Sequence, residues 1–310
     1  MNNENNATTS PSPSVWIFLA LGLVAASQSG NIIRIGDAHP VAIAAWRLLL
    51  ASLLLAPLAG RRLWELWTLG CREKALLVLA GVALALHFFA WITAVQWTSV
   101  ANAAIFFAIN PVLTATAAWL IYGERASWRL GIAIAVGLGG VVIIGVDDLD
   151  FSSAALAGDA MALLCSVLFT VYFLAGKGLR SKIDNRAYVT GIYGIAALLS
   201  FGVLLVMGLP LVDYSEQTWL CFVLMALVPT MIGHTSFNHA LRYIKAGRIS
   251  ALTLSEPLMA AVVAYYSWGE SMRPAAIFGY GLIVFSVFVQ LSDGVGDKSG
   301  KNQTAGDEEA

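Results

Sequence analysis

The sequence predicts an all-α integral membrane protein: ten transmembrane helices arranged as two inverted five-helix repeats. Three observations lead there: long apolar runs with little charge, a residue pattern that recurs 146 positions downstream, and a lopsided distribution of Lys and Arg. The 310 residues are 58% hydrophobic and 12% charged, with mean hydropathy +0.75. A soluble domain carries about 25% charged residues. Between Lys74 and Glu124 there is no Asp, Glu, Lys or Arg. That stretch is too long for one span and suits two, since a span needs about 20 apolar residues.

Apolar runs between turn signals place the ten helices at 15–35, 40–58, 75–96, 99–121, 127–146, 155–176, 187–208, 217–240, 248–267 and 274–291. Gly36, Asp37 and Pro40 punctuate the first turn. Asp147, Asp148 and Asp150 punctuate the centre, and Pro210 and Asp213 end the seventh run. The chain then divides into a polar tail (1–14), a first repeat (15–146), a linker (147–154), a second repeat (155–291) and a polar tail (292–310). Both tails are expected to be disordered. The first tail has no Lys or Arg, so it lacks the charged region of a signal peptide.

Counting Lys and Arg by loop gives fifteen on the side of the termini, including Arg61, Arg125, Lys177 and Lys245. The other side has two, Arg34 and Arg273, and Arg47 lies inside a span. This asymmetry puts both termini in the cytoplasm and the central linker outside.

The recurrence is specific. Asn110-Pro111 runs through apolar residues to Gly123-Glu124, and Glu256-Pro257 runs likewise to Gly269-Glu270. The same offset joins Gly30 to Gly176, Arg34 to Arg180 and Ala94 to Ala240. Each copy holds five helices. Five is odd, so the second copy enters the bilayer inverted. Inverted repeats of this kind are the architecture of many secondary transporters, whose substrate site lies near the midplane between the copies.

These two proline-to-Gly-Glu segments, at this spacing and within ten spans, resemble the drug/metabolite transporter superfamily. The nearer likeness is to its ten-helix EamA-type exporters, and within those to the YddG-like aromatic amino-acid exporters. The resemblance covers the chain from Val15 to Leu291. It implies a bacterial inner-membrane location. It also implies a central cavity lined by helices one to four and six to nine, with helices five and ten outside as a scaffold. The glycines at 131, 137, 139 and 140 of helix five, and at 279 and 281 of helix ten, suit close helix packing.

Polar groups within spans are costly and need a reason. Glu256 reads as a cation or proton site able to meet a substrate ammonium, and Arg47 as a partner for a substrate carboxylate. The alternative is that the two pair structurally or snorkel. Pro111 and Pro257 remove backbone donors in mid-helix, so they read as hinges or static kinks. His87 lies mid-span as a packing residue or a cavity group. His234 and His239, five apart, share no face for a metal. Trp46, Phe88, Trp91 and Phe237 are the aromatic candidates for the cavity wall. Gln28, Asn31, Asn102, Asn110 and Asn238 suit interhelical hydrogen bonds, and Glu124 and Glu270 suit ion pairs at the membrane surfaces.

The function expected is secondary active export of aromatic and other neutral amino acids, or similar small metabolites, by alternating access. A multidrug or quaternary-ammonium exporter is the alternative. An intramembrane enzyme would need a nucleophile–base pair or a metal motif, and neither appears. Cys71, Cys165 and Cys221 lack metal spacing. The expected partners are a small-molecule substrate, the lipid bilayer and, as a candidate coupling ion, the proton. No cofactor, metal, nucleic acid or obligatory oligomer is called for, and the net charge of −1 offers a polyanion no footprint.

Overall fold

A computed structural model describes residues 11–146, 149, 152–269 and 274–304. Among them are ten helices long and apolar enough to cross a membrane, and no strand. In chain order these are α1 Pro13–Ile33, α2 Pro40–Trp67, α3 Cys71–Trp97, α4 Val100–Tyr122 and α5 Trp128–Gly145. The second set is α6 Ser153–Arg180, α7 Asn185–Val206, α8 Glu216–Ala240, α9 Ala246–Trp268 and α10 Pro274–Ser292. Half of the expected linker (Asp147, Asp148, Asp150 and Phe151) and most of the first tail, with Glu270 and Arg273, fall outside the described residues.

Starts and stops have local causes. Ser99, Ser127, Ser152 and Ser215 cap α4, α5, α6 and α8 by accepting a backbone N–H three residues on, at 3.0–3.3 Å. Gly123 and Gly269 end α4 and α9 at φ of 68° and 67°, a left-handed conformation open to glycine at no steric cost. Two ends differ from expectation. The run from Gly60 to Trp67 continues α2 as short helical turns after a break at Gly60. The last helix runs on to Thr304, over much of the tail expected to be disordered. No proline follows Pro274, and extending an existing helix fixes only one residue per added bond.

The repeat is visible in the helix boundaries. Both α4 and α9 are broken in mid-span. The pieces are α4a Val100–Phe107 and α4b Asn110–Tyr122, then α9a Ala246–Leu252 and α9b Glu256–Trp268. The offset of 146 carries Asn110 and Tyr122 onto Glu256 and Trp268. Pro111 and Pro257 therefore occupy the first turn of a new segment, not a helix interior. The backbone stays right-handed helical across each interruption, at Ile109 and at Ser255, so these are interruptions of the kind a mid-span proline makes. A first-turn position has no helical acceptor for its N–H, so proline costs nothing there and marks an interruption.

Packing follows the same symmetry. α3 lies along α6, as α1 lies along α8, while α2 packs on α7 and α5 on α10. A Cβ on Gly140 would fall 2.7 Å from the Gly279 carbonyl oxygen, and one on Gly279 would meet Gly140 equally. Those two glycines let the backbones of α5 and α10 touch. Gly131, Gly139 and Gly281 face open space, so the packing expected of them does not occur. The outer surface is apolar: Leu120, Leu198 and Val206 are 70%, 77% and 90% exposed. Such a surface suits lipid and not water.

Candidate functional site

The breaks in α4 and α9 meet a cavity of about 80 Å³ in the middle of the bundle. Ser27, Ser29 and Gly30 of α1 line one part of it. His87, Phe88 and Trp91 of α3 line another, with Phe107, Phe169, His234 and Phe237 completing an aromatic wall. Glu256 and Pro257 enter from the start of α9b. Helices two and seven contribute no wall, whereas Val141 of α5 does, which departs from the lining the resemblance implied.

Several wall residues are repeat mates. The 146 offset joins Phe88 to His234 and Trp91 to Phe237. The Phe88 and His234 rings lie 4.9 Å apart, edge to face. His87 approaches His234 at 5.9 Å between ring centroids, and its Nδ1 donates to the Cys165 carbonyl at 3.1 Å. The pseudo-two-fold axis thus passes through the cavity. The offset drawn from the sequence covers proline, glycine, arginine, alanine and glutamate positions, not aromatic ones. Applied to Phe88, it would have found His234.

Glu256 is the acidic side chain of this cavity. No hydrogen bond or ion pair engages its carboxylate among the described residues. Its mate Asn110 is fully buried and satisfied. Asn110 Nδ2 donates to the Ser166 carbonyl at 3.1 Å and to Thr170 Oγ1 at 3.4 Å, while its Oδ1 accepts from Thr114 and Ser250.

Arg47 is 1% exposed and does not reach Glu256. Its Nε donates to Thr230 Oγ1 at 2.9 Å, and its guanidinium carbon lies 3.8 Å from the Phe88 ring centroid. Phe88 lines the cavity and also carries the Arg47 guanidinium on its ring, whereas Arg47 itself does not reach the lining. The structural pair of Arg47 with Glu256, one of the two expected arrangements, is absent among the described residues. Trp46 is not at the cavity either. Its indole packs against Phe201 and Trp219 at 5.3 and 4.7 Å and donates to the Leu211 carbonyl at 2.9 Å. Consecutive helical residues point about 100° apart, so Trp46 and Arg47 cannot share a direction.

The bed for Arg47 is a π-helical turn, Ala226–His234, within α8. Pro229 lacks the N–H that would serve the Met225 carbonyl, and Thr230 Oγ1 supplies the missing donor at 2.7 Å. Such turns cluster at functional sites. Nothing in the hydropathy pattern announced it, although Pro229 was a visible signal.

The two faces of the bundle differ. On the face of the termini, α4b packs along α9a, and a Cβ on Gly247 would lie 2.9 Å from that of Ala115. Lys177 pairs with Glu124 at 2.6 Å beside this contact. Arg180, 2% exposed, donates to the Asn238 carbonyl at 2.9 Å. On the far face α4a and α9b make no comparable contact. A wider pocket of about 750 Å³ opens there between the α1–α2 turn and the end of α3. Val100 lines both spaces, and a Cβ on Gly30 would come within 2.8 Å of its side chain. That pair is the neck between them.

The other polar candidates bond between helices. Asn31 reaches the Ala260 carbonyl and Asn102 reaches Asp159, at 3.0 and 2.8 Å. Asp159, a buried acid absent from the sequence-derived candidates, is held there. Among the described residues no group of His, Cys, Asp and Glu could hold a metal.

The EamA-like transporter family matches residues 13–146 and 156–292, one copy in each repeat. A probable terminal-alkyne amino-acid exporter of Streptantibioticus cattleyicolor is 27% identical over 90% of this chain and 93% of its own. An uncharacterized transporter of Archaeoglobus fulgidus is 25% identical over 82% and 89%. A crystal structure superposes with a TM-score of 0.77 at 17% identity, covering 90% of this chain and 96% of that one, and so shares the fold. Two matches to one family, in the two halves that the repeat defines, settle the kinship: this chain belongs to the EamA-like transporter family.

Proposed function

We propose that this transporter is a secondary active exporter of neutral amino acids, aromatic ones included, working by alternating access across a bacterial inner membrane with both termini in the cytoplasm. The observation that carries the reading is the unequal pair of crossings: α4b is sealed on α9a while α4a and α9b make no comparable contact, around a cavity at the breaks. Exchanging the two arrangements would close the far face and open the face of the termini, because the repeats are inverted copies. The aromatic wall suits a flat apolar side chain, and Glu256 suits its ammonium. The similarity to a probable amino-acid exporter supports the same substrate class. Glu256 is also the group through which protons would couple.

One observation favours a second reading. The acidic group meets the cavity while the buried cation lies against Phe88 and does not reach the lining. A cavity used only in that state suits a hydrophobic amine or quaternary ammonium, held by Glu256 and the aromatic faces. Uptake of labelled phenylalanine, threonine and a cationic dye into liposomes holding the purified protein, with and without a proton gradient, separates the two. Phenylalanine flux driven by the gradient supports the amino-acid exporter; flux of the dye alone supports the second reading. No flux of any of them overturns both.

A further inference from the structure

We propose that Phe88 is a movable cover over a carboxylate receptor built on Arg47. The inference rests on the amino-acid reading above and specifies how a substrate's acid group would be held.

Arg47 is an unusual cation. It is buried in the bundle, and Nη1 and Nη2 have no hydrogen-bond partner among the described residues. No carboxylate pairs with it among the described residues. A charge taken out of water and left unpaired is strongly unfavourable. A cation–π contact with Phe88 compensates only part of that cost. A structural role would be served better by an apolar side chain of similar size. The arrangement makes sense if an anion visits.

The geometry suits such a visit. Thr230 is tied to the π-helical turn through Met225 and receives Nε, which fixes the guanidinium plane. The two terminal nitrogens remain as a fork, the pair of donors that binds a carboxylate with two parallel bonds. One aromatic ring is shared by fork and cavity. That ring belongs to the cavity wall, and the guanidinium lies 3.8 Å from its centroid without reaching the cavity itself. Tilting it aside would expose both nitrogens to the space that holds Glu256. A zwitterion could then place its carboxylate on Arg47 and its ammonium on Glu256. A plain amine would gain nothing from the movement and would meet a closed cover. Phe88 would thereby set specificity, admitting acids that repay the exposure of Arg47.

The test compares phenylalanine with phenethylamine, the same body without the carboxylate, in liposomes holding the full chain. Arg47→Met should lower phenylalanine flux relative to phenethylamine on the order of 100-fold, the loss expected when one partner of a buried charge pair is removed. Phe88→Leu should raise that ratio, and the rise should vanish in the double variant. Equal effects of Arg47→Met on both compounds, or a Phe88→Leu effect that survives without Arg47, would overturn the proposal. Because Arg47→Met alters a buried position on which folding depends, a second measurement needs no change there. Labelling of Arg47 by phenylglyoxal, read by mass spectrometry, should be slow in the wild type, faster in Phe88→Leu, and suppressed by phenylalanine but not by phenethylamine. Labelling indifferent to Phe88→Leu would sink the cover. Failure of the amino-acid reading itself would look different: the wild type would carry phenethylamine and leave phenylalanine behind.

Discussion

The two mid-span breaks share a backbone and differ in chemistry. At the first, Asn110 is saturated by Ser166, Thr170, Thr114 and Ser250, and it ties α4b to both α6 and α9a. At the second, Glu256 begins α9b with no partner among the described residues and faces the cavity. Equivalent positions of an inverted repeat have thus been divided between holding and binding. Duplication supplies the frame twice, and the side chain decides which copy is structural. An asparagine can satisfy itself with neutral donors and acceptors. An ionised carboxylate in the same place lacks compensation until a cation arrives.

The largest expected effect comes from removing the difference. Glu256→Gln should reduce flux on the order of 100-fold or more and erase its dependence on pH, as loss of a buried charged contact does. Retained, pH-dependent flux would take proton coupling away from this residue. Next in size is a conformational test of the crossings. With the native cysteines replaced, Ala115→Cys with Gly247→Cys should cross-link in the arrangement described here. The mates at the 146 offset, Ala101→Cys with Ala261→Cys, should cross-link only when the protein visits the exchanged arrangement. Substrate should shift the ratio of the two products. Cross-linking of both pairs in the same molecules would refute exchange.

A smaller effect is expected at the other break. Asn110→Ala strands buried hydroxyl and carbonyl groups and should lower stability by about 1–3 kcal/mol. A depressed melting temperature in detergent, with flux per folded molecule little changed, would fit its holding role. Loss of flux with unchanged stability would move Asn110 into the binding site. The smallest effect should come from Lys177→Met at the sealed crossing. A near-surface pair such as Lys177–Glu124 contributes about 1 kcal/mol or less. The expected result is a modest shift in the Ala115–Gly247 cross-linking yield.

The span count, the repeat and the family resemblance were legible in the residues because each rests on local composition. Hydrocarbon demands apolar length, and a run either has it or lacks it. Pro111, Gly123, Pro257 and Gly269 were visible landmarks because those residue types carry a backbone meaning wherever they stand. Pro111 and Pro257 mark the interruptions of α4 and α9, and each stands in the first turn of the segment that follows. Trp46 was placed in the cavity and lies in a separate aromatic cluster. Phe107 and Phe169 line the wall among many similar aromatics. In a helix apolar on every side, the sequence does not mark which face meets lipid and which meets a neighbour.

What the chain's composition and spacing determined alone was ten helices, their pairing as two inverted sets of five, and the two mid-span prolines that mark equivalent places in them. Those follow from solvent and backbone rules acting over a few turns of chain. Tertiary packing decided that Glu256 faces the cavity without a partner among the described residues, that Phe88 both lines the cavity and meets Arg47, and that the two crossings are packed unequally. These depend on which distant side chains meet, and apolar helices in an apolar solvent leave that choice to the detailed fit of their surfaces.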